Sequence, residues 1–258
     1  MDRKGGTAMG LYEEIQERLL SARDGELESL VLGWKGSAVV LKDGRWGIGA
    51  VPPGGGATLS PREDHTRRLL LSGAKDLAKL LVSPYPQEYA AASAAAAAIA
   101  PAPEEGLPLE SLLPLPGGER VSLVTPDPWV TDFLRDWNWN ISVFDDGRRG
   151  LNVFPEWTAS QHLNSSGWVW LTAEVFRTRS FFSLLPFLSG KKVVLQGPGI
   201  PFLPDVYGQA GISFLVLPET SGTDGSAAMR YVASGGTPWT CPDLRWRVHP
   251  VSGQGRQG

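Results

Sequence analysis

Residues 191–217 read KKVVLQGPGIPFLPDVYGQAGISFLVL. Two short apolar runs, 191–196 and 212–217, flank a loop rich in glycine and proline and then a short helical stretch. Continuous apolar runs without polar alternation are the mark of strands buried on both faces. Joined through a helix rather than a tight turn, such strands become parallel neighbours. This stretch therefore predicts an open parallel sheet covered by helices.

The pattern extends to both sides. Upstream, strands are predicted at 120–125 (RVSLVT), 140–145 (NISVFD) and 166–172 (SGWVWLT). Helices are predicted at 127–137 and 178–188, the latter with Thr178 as its cap. Downstream, 223–236 reads as a helix stopped by Gly235 and Gly236, and 237–250 as an added edge strand. The region 120–250 is thus expected to be Rossmann-like, and 251–258 a tail.

The first hundred residues differ. A helix over 9–23 places Leu11, Ile15 and Leu19 on one face. Strands at 39–41 and 46–51 flank Asp43-Gly44, a strong hairpin signal. Ser72 can cap a helix reaching about residue 81, and an alanine-rich helix begins near Pro86 and stops at Pro101. Its small side chains allow another element to approach its backbone. Residues 101–119 are rich in proline and glycine and read as a linker, with LESLLPL within it expected to dock. The fold class is α/β: a small α+β domain over 1–100, then a Rossmann-like domain with a mostly parallel sheet.

Composition bounds the function. The chain has 258 residues, 42% hydrophobic and 20% charged, with a net charge of -3. No basic footprint for nucleic acid is present. The opening MDRKGGTAMGLYEEI has no signal-type apolar run, and the alanine run is too short for a bilayer span. No membrane association is expected, and the expected location is the cytoplasm. One cysteine, Cys241, excludes an internal disulfide and a CxxC knuckle. His65, His162 and His249 show no metal-site spacing, so no metal ligand set is assigned. The first strand of the parallel region ends in Val124-Thr125-Pro126-Asp127-Pro128 rather than GxGxxG, which disfavours a dinucleotide cofactor. No GxSxG elbow is present.

Four stretches together resemble the putative heavy-metal chelation family: LGWKGSAVVLKDGRWGIGAVP (32–52), LAKLLVSPYPQEYAAASAAAAAI (77–99), VVLQGPGIPFLPDVYGQAGISFLVLPET (193–220) and MRYVASGGTPW (229–239). The resemblance implies an enolase N-terminal-like domain, a Rossmann-like domain and a working cleft between them. Some positions depart from the family pattern. Ala97 stands where an asparagine is usual, Ala173 after Thr172 where a glycine is, Thr178 where an asparagine is, and Gly167 where an acid is.

Candidate ligand-binding residues follow from chemistry and resemblance together. Ligands of open α/β sheets sit at strand C-terminal ends. That nominates Thr172, Gln196 and the loop Gly197, Pro198, Gly199 and Pro201, which is otherwise a rigid turn. Asp145 ends a strand and could hold hydroxyls, or merely close the turn at Gly147. Trp34 could stack on a flat ligand, or fill core. The resemblance puts Glu88 near the cleft, whereas its default role is to complement the helix dipole. The expected function is a small-molecule binding protein or enzyme, with a ligand linked to metal chelation or chelator metabolism. The alternative is a non-catalytic relative acting as a binding or partner-interaction protein; the chain has 10 tryptophans, which would mark a partner surface if exposed together. Cofactor, catalysis and homo-oligomer formation stay open.

Overall fold

The computed structural model describes residues 8–51, 69, 72–112, 119–137, 140–220, 223–242 and 244–251. The expected tail, apart from Val251, and His65 lie outside them.

The first unit opens with α1 (Ala8–Ser21), which buries Leu11, Ile15 and Leu19 as their spacing requires. A three-stranded antiparallel sheet follows: β1 (Leu27–Leu32), β2 (Gly36–Leu41) and β3 (Trp46–Ala50), in that order. The predicted hairpin is β2–β3, turning at Gly44 with φ +86°. β1 is an addition, absent from the sequence reading.

Next come α2 (Ala74–Ala78) and a 3-10 turn over Lys79–Val82. Ser72 does not cap α2: the cap position is Gly73, which makes no side-chain bond. Asp24, from the loop after α1, instead accepts from the Lys75 N–H at 3.2 Å, so the acceptor arrives from another element. α3 (Pro86–Ile99) starts with Pro86 in its first turn and is buried along almost its whole length.

The alanines of α3 meet glycines on β3. A Cβ built on Gly47 would lie 2.3 Å from the Ala94 carbonyl oxygen, and one on Gly49 would lie 2.2 Å from that of Ala90. Helix backbone therefore rests on strand backbone, and only glycine fits between.

The second unit holds an eight-stranded sheet in the order β4-β11-β10-β9-β8-β5-β6-β7. Its strands are β4 (Leu107–Pro108), β5 (Arg120–Val124), β6 (Asn140–Phe144), β7 (Val153–Phe154), β8 (Trp168–Thr172), β9 (Lys192–Gln196), β10 (Phe214–Pro218) and β11 (Trp246–Pro250). The run from β10 to β7 is parallel, while β11 pairs antiparallel with β10 on one side and β4 on the other. The expected edge strand, β11, is not the edge: β4 pairs outside it. Leu109 and Leu112, in the 3-10 turn after β4, are buried against the sheet, so the described part of LESLLPL, residues 109–112, docks on this unit.

Helices connect the strands: α4 (Pro128–Asp136), α5 (Ala159–His162), α6 (Glu174–Arg177), α7 (Ser180–Leu184), α8 (Pro204–Gln209) and α9 (Gly225–Ala233). The helix expected over 178–188 is present as α7 and a following 3-10 turn over Leu185–Phe187, and α6 before it is an addition. Arg179 adopts a left-handed conformation, φ +63°, between α6 and α7. The cap position of α7 is Arg179 rather than Thr178, whose hydroxyl donates back to the Glu174 carbonyl at 3.1 Å and accepts from the Ser180 N–H at 3.5 Å. Asp127 caps α4, accepting from the Trp129 N–H at 3.0 Å. Among the described residues no helix is long and apolar enough to cross a membrane.

The two units share one apolar core. Leu11, Leu19, Leu77 and Ile99 of the first belong to the same buried cluster as Val124, Leu171, Phe181 and Tyr207 of the second. α9 packs on the opposite face of the small sheet from α3, through Ala228 and Val232 against Ala38 and Ile48. Tyr12 of α1 donates to the Phe176 carbonyl at 2.6 Å, and Arg179 lies 3.9 Å over its ring.

Candidate functional site

The chain runs β5 to β6 in one direction across the sheet, then returns to β8, β9 and β10 in the other. The switch point between β5 and β8 is where open α/β sheets carry ligands. Here it is laced shut. Thr172 ends β8 and donates its hydroxyl to the Thr125 carbonyl at 2.8 Å, and the two hydroxyls lie 3.2 Å apart. Thr125 takes a left-handed φ of +49° to present that carbonyl. One strand further, Gln196 is fully buried and accepts from the Trp170 indole N–H at 2.8 Å.

The loop after β9 is buried through Pro201. A Cβ on Gly197 would fall 2.6 Å from the Cβ of Ala173. Gly199, at φ +82°, has no room either: a Cβ there would sit 2.6 Å from the Ser93 hydroxyl of α3 and 3.1 Å from the Ile48 carbonyl of β3. The loop is thus wedged against the first unit, with Pro198 and Pro201 buried beside the glycines.

An open cavity of about 310 Å3 lies along this wedge. Its walls are the β2–β3 turn with Trp46, the C-terminal end of α3 with Ala97, the loop with Gly199 and Ile200, and Phe202 with Leu217. At the mouth Arg45 pairs with Asp43 at 2.8 Å and donates to the Asp24 carbonyl at 2.9 Å. Hydrogen bonding to Arg45 holds the Asp43 carboxyl below its ordinary pKa. Trp46 turns its indole N–H to the Thr223 carbonyl at 3.0 Å, leaving ring surface to the cavity.

Thr172, Gln196 and the loop 197–201 therefore come together at the strand ends, and Gly199 reaches the cavity wall. Glu88 lies in the first turn of α3 with its carboxylate on the Ser83 hydroxyl; the next residue, Tyr89, donates to the Ala173 carbonyl at 3.4 Å. Asp145 is brought elsewhere, to the end of β6. There it accepts from the Gly147 N–H at 2.8 Å and pairs with Arg148 at 3.2 Å. Trp34 is 69% exposed on the β1–β2 turn beside α9, away from the cavity lining.

Of the cavity walls, only Gly199 and Ala97 stand out from the sequence, the latter through the resemblance. Arg45 and Trp46 follow the hairpin turn, where the Asp43-Gly44 signal drew attention only to chain reversal. A second omission is Glu174, whose carboxyl is raised above its ordinary pKa by burial, against the pull of Arg177 donating to it at 2.7 Å. Burial likewise raises Glu156.

The donor set does not fit a transition metal. Among the described residues no three of His, Cys, Asp and Glu converge on one point. Cys241 is buried in the α9 cluster, His249 packs on Phe202 at 5.2 Å, and His162 stacks on Phe154 at 5.1 Å.

The comparisons agree with this architecture. A crystal structure of a DUF364 family protein of unknown function from Desulfitobacterium hafniense DCB-2 matches with a TM-score of 0.74 at 18% identity, over 94% of this chain and 99% of that one. A second, from Pyrococcus horikoshii and also of unknown function, gives 0.66 at 14% identity, over 93% and 98%. At these identities the likeness shows the fold. No curated protein matches the chain. The family model described as Putative heavy-metal chelation matches residues 108–246, more than half of the sequence, and the chain belongs to that family, DUF364.

Proposed function

We propose that this protein binds a small, flat, mostly apolar organic molecule in the interdomain cleft, and that its ligand is of the chelating heterocycle class. One observation carries the reading: a preformed cavity of about 310 Å3 walled by Trp46, Ile200, Phe202 and Leu217 at the C-terminal side of a Rossmann-like sheet. Mostly apolar pockets with a few polar groups at the mouth are the usual form of small-molecule sites. The family description supplies the link to chelation. Since the described side chains offer no converging donor set, the metal is handled as an organic complex rather than held by the protein.

The role is binding rather than bond chemistry. Thr172 is committed to Thr125, and Gln196 engages Trp170, inside the fold. Ala97 presents only a methyl group to the cavity.

Calorimetric titration with bipyridine- and phenanthroline-type chelators, free and metal-loaded, tests this. Wild-type protein binds at least one of them, and Ala97→Phe, which fills the cavity, does not. Saturable binding that survives Ala97→Phe, or no binding by any chelator, removes the proposal.

A further inference from the structure

A second pocket lies on the large sheet itself, at the opposite ends of the strands. β5 and β6 run in parallel register, with Arg120 beside Asn140 and Ser122 beside Ser142. Side chains two apart share a face. Further along that face come Val124 and Phe144, buried under the segment 159–166 with Ala159 and Leu163. The apolar cover ends where the serines begin, and a pocket of about 180 Å3 opens there.

We propose that this pocket binds a small oxyanion, such as phosphate or sulfate, free or as the head of a small phosphate ester. Its lining contains no carboxylate and one hydrocarbon ring, Phe154. Arg120 stands at the edge and spends one N–H on the Ser165 hydroxyl at 3.3 Å. The His162 ring, stacked on Phe154 at 5.1 Å, forms the facing wall. The Ser122 and Ser166 hydroxyls, both buried, lie 2.7 Å apart at the floor.

Donor capacity is left over. Among the described residues the side chains of Asn140, Ser142 and Asn152, all of which line the pocket, make no hydrogen bond to a protein group. Asn152 is held in place by a left-handed φ of +58°, with its carbonyl accepting from the Val143 N–H at 2.8 Å. Lys191 adds positive charge behind the floor, donating to the Ser166 carbonyl at 3.0 Å. Glu119 brings a carboxylate to the neighbourhood, on the Gly167 side and outside the lining. A guanidinium, an imidazole, hydroxyls and amides around one small space suit an anion with several acceptor oxygens.

The test is calorimetric titration of the full chain with inorganic phosphate, at ionic strength held constant with chloride. Wild type gives saturable binding. Arg120→Gln, a change at an exposed position, weakens it roughly tenfold to a hundredfold, the loss of one charge-assisted contact. Ser142→Val, which fills the space with hydrocarbon, abolishes it. Arg149→Gln, an exposed arginine outside the lining, leaves it unchanged. Glycerol 3-phosphate binding more tightly than phosphate assigns the pocket to an ester, and equal affinities assign it to the free anion. No saturable phosphate binding, equal binding by Arg120→Gln and Ser142→Val, or equal uptake of neutral glycerol overturns the proposal in favour of a pocket that holds water.

Discussion

Gly47→Ala tests the seam between α3 and β3 directly. The added Cβ would sit 2.3 Å from the Ala94 carbonyl oxygen, 2.9 Å from the Ala98 nitrogen and 3.1 Å from the Ala97 Cβ. Comfortable separations between non-bonded heavy atoms are about 3.5–4.0 Å, so the overlap with the Ala94 oxygen exceeds roughly 1 Å. Two of the three clashing atoms are backbone, and no rotamer change can move them. Helix and strand must part along their length, and overpacking of this kind costs about 1–3 kcal/mol, occasionally more. Alanine also restricts the unfolded chain, which offsets about 0.4–1 kcal/mol. The net loss is then about 1 kcal/mol, a fall in Tm of roughly 2–4 °C for a chain of this size. Gly10→Ala is the matched control. It makes the same chemical change in α1, where an added Cβ meets nothing within 4 Å. Relief of the helical glycine penalty stabilises it by up to about 1 kcal/mol. Chemical unfolding followed by circular dichroism reads both. If Gly47→Ala unfolds within about 0.5 kcal/mol of wild type, below the size of any real overpacking, the close backbone contact is not there.

Other outcomes follow from the same structure. Thr172→Val leaves the half-buried Thr125 carbonyl without its donor and lowers unfolding free energy by about 1 kcal/mol in a denaturant titration. Tyr12→Phe removes the bond from α1 to the Phe176 carbonyl and costs about 1 kcal/mol, and wild-type stability in this variant would mean that α1 is not clasped through that hydroxyl. The raised pKa of Glu156 means that the folded state holds its proton to higher pH than the unfolded chain, so this group lowers stability as pH rises through that window and adds none back above it. Glu156→Gln is accordingly more stable than wild type at pH 7, and the gain shrinks as the titration moves into acid; a pH-independent difference would contradict the desolvation account. Because one buried cluster spans both units, differential scanning calorimetry shows a single transition, and two resolved transitions would mean the shared core does not couple them.

The sequence reveals most of the fold where a local rule and the tertiary environment agree. Buried parallel strands are apolar throughout, so β8, β9 and β10 stand out. α3 is bounded by Pro86 and Pro101, the β2–β3 hairpin turns at Asp43-Gly44, and the end of α9 is marked by Gly235 at φ +86°. β1 escapes because it is half-exposed along nearly its whole length, which erases alternation. β4 and β7 have only two residues each and no pattern to show. The left-handed residue Arg179, which separates α6 from α7, has no local signal, since arginine carries no preference for left-handed backbone.

The site is less legible for a different reason. Polar residues at strand ends can be recognised by position, but whether they face a ligand depends on neighbours supplied from elsewhere. Thr172 finds Thr125, and Gln196 finds Trp170. The cavity walls come from segments far apart in the chain, and an alanine or leucine in a wall looks like any other. Serines at 122 and 142 interrupt strands that otherwise read as buried, and that interruption is a usable signal in hindsight of their pairing.

The position of β4 constrains how the chain can be made. It leaves the first unit and crosses to the far side of the large sheet, where its partner is β11, the final described strand. During synthesis at about 5–20 residues per second, β4 emerges on the order of ten seconds before that partner exists. For that interval Leu109 and Leu112 have no finished surface to settle on, and the edge closes only when the C-terminal strand arrives. A ribosome stalled shortly before residue 246 would therefore display an open sheet and two stranded leucines, a state for a chaperone to shield. Arrival of β11, rather than formation of the parallel core, is the step that seals this sheet.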